Sequence, residues 1–254
     1  MQGKFCVGTS GWSYRHWVGK FYPQGMRNDQ FLSYYTQHFG CVELNASFYR
    51  LPKPGMVEGW VAKTPEHFRF AAKLSRLITH QKRLVDCREA LVSYFEVMSK
   101  LTPRLGPILI QLPPSFRFDG AVVEPFLTML RNEFGEYTYA LEARNDTWFT
   151  AEAQDLLRRY NIAWVIADSG GRFPKYEGVT ADFVYLRFHG PGALYASDYP
   201  DEQLAEYATK VARWLEAGLA VWAFFNNDVG GYAVKNAMTL REMVAHAVEV
   251  GSPK

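Results

Sequence analysis

Acidic, basic and imidazole side chains follow the short apolar segments of this sequence, where they could serve one site. The residues suited to moving protons are Glu43, Glu142, Asp168 and His189. Carboxylates and imidazole are common general acids and bases, and two carboxylates whose surroundings push their pKa values apart can divide those roles. We predict that these four residues are catalytic.

A second set of side chains could hold a substrate. Lys73, Arg144 and Arg187 carry positive charge, and a guanidinium binds phosphate or carboxylate through two hydrogen bonds. Hydroxyl, amide and aromatic groups near them suit a polyhydroxylated ligand. The predicted substrate-binding residues are Thr9, Ser10, Trp12, Asn45, Tyr49, Lys73, Gln111, Arg144, Arg187, Asn226, Asn227 and Asp228.

Eight short apolar, β-rich runs must position these residues. The runs are Phe5–Val7, Val42–Phe48, Phe68–Ala72, Pro107–Leu112, Tyr137–Leu141, Ile162–Ala167, Phe183–Phe188 and Leu219–Phe225. Residues spaced as on one face of a helix lie between most of them, as in Leu91/Phe95/Met98. This alternation predicts parallel strands that are joined by crossover helices.

Eight such units favour an α/β fold, a (β/α)8 TIM-like barrel that fills residues 1–254 as a single domain. A doubly wound open sheet is the alternative. The stretch after the first run, Gly8-Thr9-Ser10-Gly11-Trp12, lacks the GxGxxG pattern of many such sheets. In a barrel the carboxyl ends of the strands meet at one face, where the active sites of this fold are built.

Strand alternation predicts which polar side chains share the inner side of the barrel. The groups on one side of a strand are Glu43/Asn45/Ser47, Glu142/Arg144, Arg187/His189 and Asn226/Asp228. Buried charges are costly unless they are paired, so we expect acids and bases to form one network. A network that only closes the barrel mouth, without chemistry, stays open as an alternative.

A divalent metal ion is another use of the same acids. Glu142, Asp168, His189 and Asp228 end the fifth to eighth runs, an order similar to the metal ligands of xylose-isomerase-like barrels. Carboxylates with one imidazole suit Mn2+, Mg2+ or Zn2+. Arg144 lies two residues from Glu142 and would compete with a metal for its carboxylate. The sequence therefore permits a metal cofactor without requiring one.

Glycines, aromatic rings and other histidines add weaker signals. Loops after strands seven and eight often hold phosphate in barrels, and their glycines are Gly190, Gly192, Gly230 and Gly231. The rings that could stack on a sugar or a base are Trp12, Tyr14, Trp17, Phe48, Tyr49 and Trp148. The histidines that rank below His189, because they end no strand, are His16, His38, His67, His80 and His246.

Several long motifs occur together and in order. They are Gly8-Thr9-Ser10-Gly11-Trp12-Ser13-Tyr14, Trp17-Val18-Gly19-Lys20-Phe21-Tyr22-Pro23, Val42 to Pro52, Ile78-Thr79-His80, Leu105-Gly106-Pro107, Gln111 to Phe116, Glu142-Ala143-Arg144, Tyr185 to Gly190 and Phe225-Asn226-Asn227-Asp228. Over nearly the whole chain the sequence resembles the domain-of-unknown-function 72, or YecE-like, family. Thr147-Trp148 stands where Ser-Trp is usual, and the hydroxyl is kept. The resemblance implies a TIM-like barrel and no established reaction.

Composition bounds the compartment and the partners. With 48% hydrophobic and 21% charged residues the chain can bury a large core, and a net charge of +2 gives no long-range attraction to nucleic acid or membranes. Cys6, Cys41 and Cys87 are widely spaced, which indicates buried thiols in a reducing compartment. We expect no secretion signal, no membrane contact and a cytoplasmic protein, since the longest apolar run, Leu219–Phe225, is short.

Two classes of function remain. One is an enzyme, a hydrolase or an isomerase, that acts on a small polyhydroxylated and phosphate-bearing substrate. The other is a nucleic-acid or nucleotide binding protein, including a phosphodiesterase-like nuclease, that uses the same cationic and aromatic rim. Oligonucleotide binding that weakens with salt would separate the two. The substrate and the oligomeric state are not set by the sequence.

Overall fold

Eight strands alternate with helices in the computed structural model, which describes residues 3–251 and side chains to residue 249. The strands are β1 (Phe5–Thr9), β2 (Cys41–Leu44), β3 (Arg69–Lys73), β4 (Leu105–Gln111), β5 (Tyr139–Glu142), β6 (Ala163–Asp168), β7 (Phe183–Phe188) and β8 (Ala220–Phe225). The helices are α1 (Phe31–Tyr35), α2 (Ala46–Tyr49), α3 (Pro54–Ala62), α4 (Arg88–Met98), α5 (Gly120–Glu133), α6 (Ala151–Arg159), α7 (Asp201–Glu216) and α8 (Tyr232–Gly251).

The strand order is β1-β8-β7-β6-β5-β4-β3-β2, and strands that pair do so in parallel, as β4 and β5 do. This is the α/β, (β/α)8 TIM-like fold, so the predicted fold class is confirmed. Ile108, Leu109 and Ile110 of β4 are fully buried. A parallel strand that is covered on both faces needs such a continuous apolar run.

The described residues divide into two compact units. Unit 1 contains the residues up to Val42, Ile166–Lys175 and the residues from Asp182 on, while unit 2 contains Glu43–Val165 and Tyr176–Ala181. Unit 1 therefore holds β1, β7 and β8 with α1, α7 and α8, and unit 2 holds β3, β4 and β5 with α2 to α6. The expected single domain stays a prediction.

Aromatic rings set the two faces of β7 and β8 in unit 1. Phe188 stacks on Phe225 with ring centroids 4.4 Å apart and meets Tyr207 of α7 edge-on at 4.7 Å. Tyr185 and Phe224 contact each other at 5.3 Å. Because side chains alternate along a strand, the odd-numbered residues of β7 lie on the face away from α7.

In unit 2 the side chains of β5 alternate in the same way. The ring centre of Tyr139 lies 5.5 Å from the guanidinium carbon of Arg131 on α5, and the Tyr139 hydroxyl donates to the Phe134 carbonyl at 2.8 Å. Tyr139 thus faces the helix. Glu142, three residues on, lies on the opposite face of the strand.

The second strand is shorter than predicted. Instead of a strand over Val42–Phe48, β2 ends before Asn45, whose backbone angles are helical, and α2 follows. The Phe48 amide donates to the Asn45 carbonyl at 3.1 Å, which closes the first turn of this helix. Glu43, Asn45 and Ser47 therefore do not share one face of a strand, and that part of the alternation prediction is wrong.

The cysteines behave as predicted from their number and spacing. Cys6, Cys41 and Cys87 are buried thiols outside any disulfide bond. Over residues 3–251, no helix combines the length and the apolar character that a membrane crossing requires. The cytoplasmic location stays a prediction.

Candidate functional site

A buried ion pair stands at the carboxyl end of β5 in unit 2. Arg144 Nε donates to Glu142 Oε1 over 2.5 Å, and the two side chains are 11% and 1% exposed. Each charge offsets the desolvation cost of the other, so the loss of either would leave a charge buried. The pair holds the Arg144 guanidinium in a fixed place.

Lys73 brings a second buried cation to the end of β3. The residue is 8% exposed, and its Nζ lies 3.9 Å from the ring centre of Phe48 on α2. Such a cation–π contact stabilises an ammonium by about 0.5–2 kcal/mol. The Lys73 carbonyl accepts hydrogen bonds from Ser47 Oγ at 2.7 Å and from the Tyr94 hydroxyl at 3.4 Å. Helices α2 and α4 thus fix this strand end.

His80 contacts the same aromatic ring from a π-helical turn, Leu77–Gln81. Its imidazole meets the Phe48 ring edge-on with centroids 5.0 Å apart, and its Nδ1 lies 2.8 Å from Thr79 Oγ1. The residue is half-buried. The Phe48 ring therefore contacts both the Lys73 ammonium and the His80 imidazole.

The proton affinity of His80 reflects the charge around it. Burial, and after it the positive charges nearby, lower the pKa of His80 from 6.5 to about 4. The contributing cations, which we call the cation cluster, are Lys73, Arg76, Arg144 and Arg83. The imidazole is therefore neutral at physiological pH.

Arg83 reaches the cation cluster from a strained backbone. Its φ is +52° and that of Leu84 is +69°, in a region that side chains with a Cβ seldom adopt. The Arg83 guanidinium donates to the Ser115 carbonyl at 3.0 Å and lies 4.8 Å from the ring centre of Phe116. These contacts fix the side chain despite the unusual backbone.

The other predicted residues of unit 2 have different surroundings. Glu43 is fully buried, and Gln111 Nε2 donates to the Leu112 carbonyl at 2.6 Å. Asn45 Oδ1 is buried and accepts no hydrogen bond from any residue that the structure describes. Tyr49 is 71% exposed. The buried Asn45 Oδ1 favours a hydrogen bond from a ligand or a water.

In unit 1 the carboxylate of Asp168 packs against α7. The Tyr207 hydroxyl donates to Asp168 Oδ2 at 2.7 Å, and Gln203 Nε2 donates to the same oxygen at 3.1 Å. Tyr207 also packs on Phe188, whose side chain faces α7. Asp168 therefore lies on the helix-facing side of its strand, whereas His189 follows β7 on the opposite side. Their backbones are joined, since the His189 amide donates to the Asp168 carbonyl at 2.7 Å, and the joint catalytic role of the two side chains stays a prediction.

The imidazole of His189 is fully buried and contacts Asn226. Asn226 Nδ2 lies 3.2 Å from His189 Nδ1. Because an amide nitrogen only donates, Nδ1 accepts in this contact, which corresponds to the tautomer with a proton on Nε2. The Tyr195 ring meets the imidazole edge-on at 5.6 Å, and Arg187 is buried on the same face of β7. The structure thus brings together part of the predicted set.

Two predicted substrate-binding residues of unit 1 face helices. Thr9 Oγ1 donates to the Tyr35 hydroxyl of α1 at 2.9 Å. Asn227 Nδ2 donates to Asn236 Oδ1 of α8 at 2.8 Å. Both side chains are fully buried in helix packing, so the structure gives them a role in positioning α1 and α8.

Asp228 lies beside His16 after β8. Its Oδ2 is 3.8 Å from His16 Nε2, and its carbonyl accepts from Trp17 Nε1 at 3.1 Å. Burial raises the pKa of Asp228, although a hydrogen bond to its own backbone and the charge of His16 oppose this rise. Ser10 and Trp12, which follow β1 and precede His16 in the sequence, are also buried.

The aromatic residues predicted to stack on a ligand differ in solvent exposure. Trp17 and Trp148 are fully buried, and the indole of Trp148 donates to the Phe116 carbonyl at 3.0 Å. These two rings are part of the core. Tyr49 has the accessible surface that stacking requires.

The described part of the chain contains no cluster of side chains that could bind a metal ion. No three or more His, Cys, Asp and Glu side chains there are grouped so that they could hold a metal ion. Of the four proposed ligands, Asp168 is bonded to Tyr207 and Glu142 to Arg144. The residues present therefore do not fit the metal hypothesis.

Three residues of unit 2 that lie around this site, Arg76, His80 and Arg83, were not among the predicted site residues. His80 ranked low because it ends no strand, and the two arginines lie outside the predicted runs. The Ile78-Thr79-His80 motif was the available signal. A motif says that a position matters to a family, but not which charges surround it.

The strand order and the polar strand ends together define a TIM-like barrel protein. The chain belongs to the family described as "Protein of unknown function DUF72", whose model matches residues 6–254. The resemblance drawn from the motifs is thereby confirmed.

Relatives of known sequence carry family names only. The UPF0759 protein YecE of Escherichia coli (strain K12) is 34% identical over 169 residues, which are 64% of this chain. This chain spans 58% of the length of YecE. The UPF0759 protein YunF of Bacillus subtilis (strain 168) is 27% identical over 270 residues, with 94% of each chain covered.

Solved structures agree with the fold. A DUF72 family protein from Thermotoga maritima MSB8 has a TM-score of 0.85 and 30% identity, with 95% of this chain and 99% of that chain covered. A DUF72 family protein from Enterococcus faecalis V583 has a TM-score of 0.81 and 21% identity, with 95% of each chain covered, and shows the fold alone.

Proposed function

We propose that this protein is an enzyme that binds a small anionic and polyhydroxylated substrate at the carboxyl ends of β2 to β5 in unit 2. The observation that carries the proposal is the cation cluster. Lys73 in it is buried and the Arg144 side chain is 11% exposed, both at strand ends, and all four cations help to lower the pKa of one imidazole. Buried cations at the carboxyl ends of parallel strands suit a phosphate or carboxylate ligand.

The residues of unit 2 divide the work by their chemistry. Lys73 and Arg144 bind the anionic group, and Glu142 orients the Arg144 guanidinium. Asn45 Oδ1 accepts a hydrogen bond from a substrate hydroxyl, since it accepts none from the described residues. Glu43 and Glu142, the buried acids of these strand ends, exchange protons with the substrate. The cytoplasm, where sugar phosphates and hydroxy acids occur, is the proposed location.

Titration calorimetry with inorganic phosphate and a panel of sugar phosphates tests this site. Lys73→Met should weaken the binding of every anionic ligand at least about tenfold, because a charge-assisted hydrogen bond contributes roughly 1.5–3 kcal/mol. Arg69→Met is the matched control. Arg69 begins the same strand and donates to the carbonyl of Glu66 at its amino end, so its loss should leave affinity unchanged.

Equal affinity in the two variants would overturn the assignment of the site. The alternative function, nucleic-acid or nucleotide binding, is tested with single-stranded oligonucleotides in the same calorimeter. Oligonucleotide binding that falls steeply with salt, without binding of any sugar phosphate, would replace the enzyme proposal. Turnover of one panel member, abolished in Glu43→Gln, would establish the enzyme.

A further inference from the structure

Residues 77–86 of unit 2 form a strained segment. A π-helical turn over Leu77–Gln81 is followed by positive φ angles at Arg83, Leu84 and Asp86, of +52°, +69° and +50°. A π turn is rare, and left-handed backbone is unfavourable for residues that carry a Cβ. Strain of this kind persists where surrounding contacts impose it, often at functional sites.

Contacts from other elements hold this segment in place. The side chains of Ile78 and Leu84 are buried. The Leu84 amide also donates a hydrogen bond to the Ile78 carbonyl at 3.1 Å. These anchors lie on the core side. Two of its polar side chains, His80 and Arg83, instead contact the aromatic rings of Phe48 and Phe116. The segment thus presents an imidazole and a guanidinium together.

His80 differs in kind from the cations around it. Its Nδ1 is engaged with Thr79 Oγ1 at 2.8 Å. Its Nε2 has no hydrogen-bond partner within the described part of the chain, and the residue is half-buried. Lysine and arginine attract any anion, whereas a neutral imidazole nitrogen exchanges a hydrogen bond with a hydroxyl. The imidazole can therefore add to the cation cluster a hydrogen bond that a hydroxylated anion makes and a bare one does not.

We propose that His80 Nε2 hydrogen-bonds a substrate hydroxyl beside the anionic group that the cation cluster binds. His80, beside Asn45, then selects a hydroxylated phosphate or carboxylate over an anion of the same charge without hydroxyls. This inference rests on the proposed function, since it needs an anion in the cation cluster. A site that pairs with a hydroxyl disfavours the analogue that lacks it, because the protein group loses its partner.

Two probes of similar size isolate this effect in the full-length protein. Glycerol 3-phosphate and n-propyl phosphate carry the same phosphate, and only the first has hydroxyls. Calorimetry on the unmodified protein should show tighter binding of glycerol 3-phosphate by about 2- to 10-fold, as one net hydrogen bond contributes. His80→Leu should reduce this preference to the share that Asn45 supplies and keep the affinity for n-propyl phosphate. His80→Gln, which keeps a neutral hydrogen-bonding group, should retain part of the preference.

Controls separate a failure of the inference from a failure of the site. His67→Leu alters an exposed histidine that does not contact Phe48 and should change neither affinity. If Lys73→Met weakens both probes while His80→Leu leaves their ratio unchanged, the role of His80 is overturned and the anion site stands. If neither probe binds the unmodified protein, both proposals fail.

Nitrogen NMR of the histidines supplies a second readout. It uses the unmodified protein and so does not require any variant to fold. Glycerol 3-phosphate should shift the His80 Nε2 resonance more than n-propyl phosphate does at equal saturation. Equal shifts with the two probes would contradict a contact to the hydroxyl.

Discussion

The acids that end β5 and β6 have opposite surroundings, although both follow buried strands. Glu142 lies on the face away from the helices and pairs with Arg144 at 2.5 Å. Asp168 lies on the helix-facing side and accepts from Tyr207 and Gln203 of α7. An acid at a strand end is therefore not a site residue by position alone. Its parity along the strand decides whether it meets ligand or core.

The histidines of the two units differ in burial and in neighbours. His80 of unit 2 is half-buried, and burial followed by nearby cations lowers its pKa, while His189 of unit 1 is fully buried and contacts Asn226. Several polar strand ends of unit 1, such as Asp168 and Asn227, serve to hold helices. Those of unit 2 concentrate positive charge. This contrast is why we assign anion binding to unit 2.

The largest expected effect tests the buried pair of unit 2. Arg144→Leu should lower the free energy of unfolding by about 3–5 kcal/mol, because it leaves the Glu142 carboxylate buried without its partner. Urea denaturation measures this change. The double variant Glu142→Gln with Arg144→Leu should recover most of the stability and still bind phosphate weakly. A double variant as unstable as the single one would show that the pair is not the cause.

A smaller loss is expected from the acid of unit 1. Asp168→Asn should lower the free energy of unfolding by about 1–3 kcal/mol, since the hydrogen bonds from Tyr207 and Gln203 lose a charged acceptor. Denaturation gives the stability, and calorimetry with phosphate should find unchanged affinity. Loss of phosphate binding in this stable variant would erase the contrast between the two acids.

Asn226→Ala should have a weaker effect on stability, about 0.5–1.5 kcal/mol, because it removes one hydrogen bond to a buried ring. The sharper readout is the tautomer of His189. Nitrogen NMR should find the proton on Nε2 in the unmodified protein and a mixture of tautomers in the variant. A proton on Nδ1 of the unmodified protein would show that the Asn226 amide is oriented the other way.

The smallest effect is a pH dependence from His80. Its pKa is lowered on folding from 6.5 to about 4, so between these values the unfolded chain binds a proton that the folded protein does not. The free energy of unfolding should therefore fall as the pH falls through this window. His80→Gln should flatten this part of the pH profile relative to the unmodified protein. Parallel profiles would mean that the cations do not act on His80 as the geometry indicates.

Much of the strand pattern was predictable because it depends on neighbours in the chain. The run Phe183–Phe188 was predicted with the bounds that β7 has. Uninterrupted apolar residues give a parallel strand two covered faces wherever it lies in the sheet. The prediction failed at Val42–Phe48, where apolar and polar residues alternate as in a strand but the backbone turns into α2 at Asn45. A single local hydrogen-bonded turn outweighed that pattern.

The sequence by itself determined the order of the elements, the family and the polar character of the strand ends, since each of these is written in contiguous residues. Only the tertiary structure decided what each polar side chain meets. Asp168 is bonded to Tyr207, 39 residues away, and the pKa of His80 is lowered first by burial and then by cations that include Arg144. Charges and hydrogen bonds act through space, and the partners that set them come from distant elements.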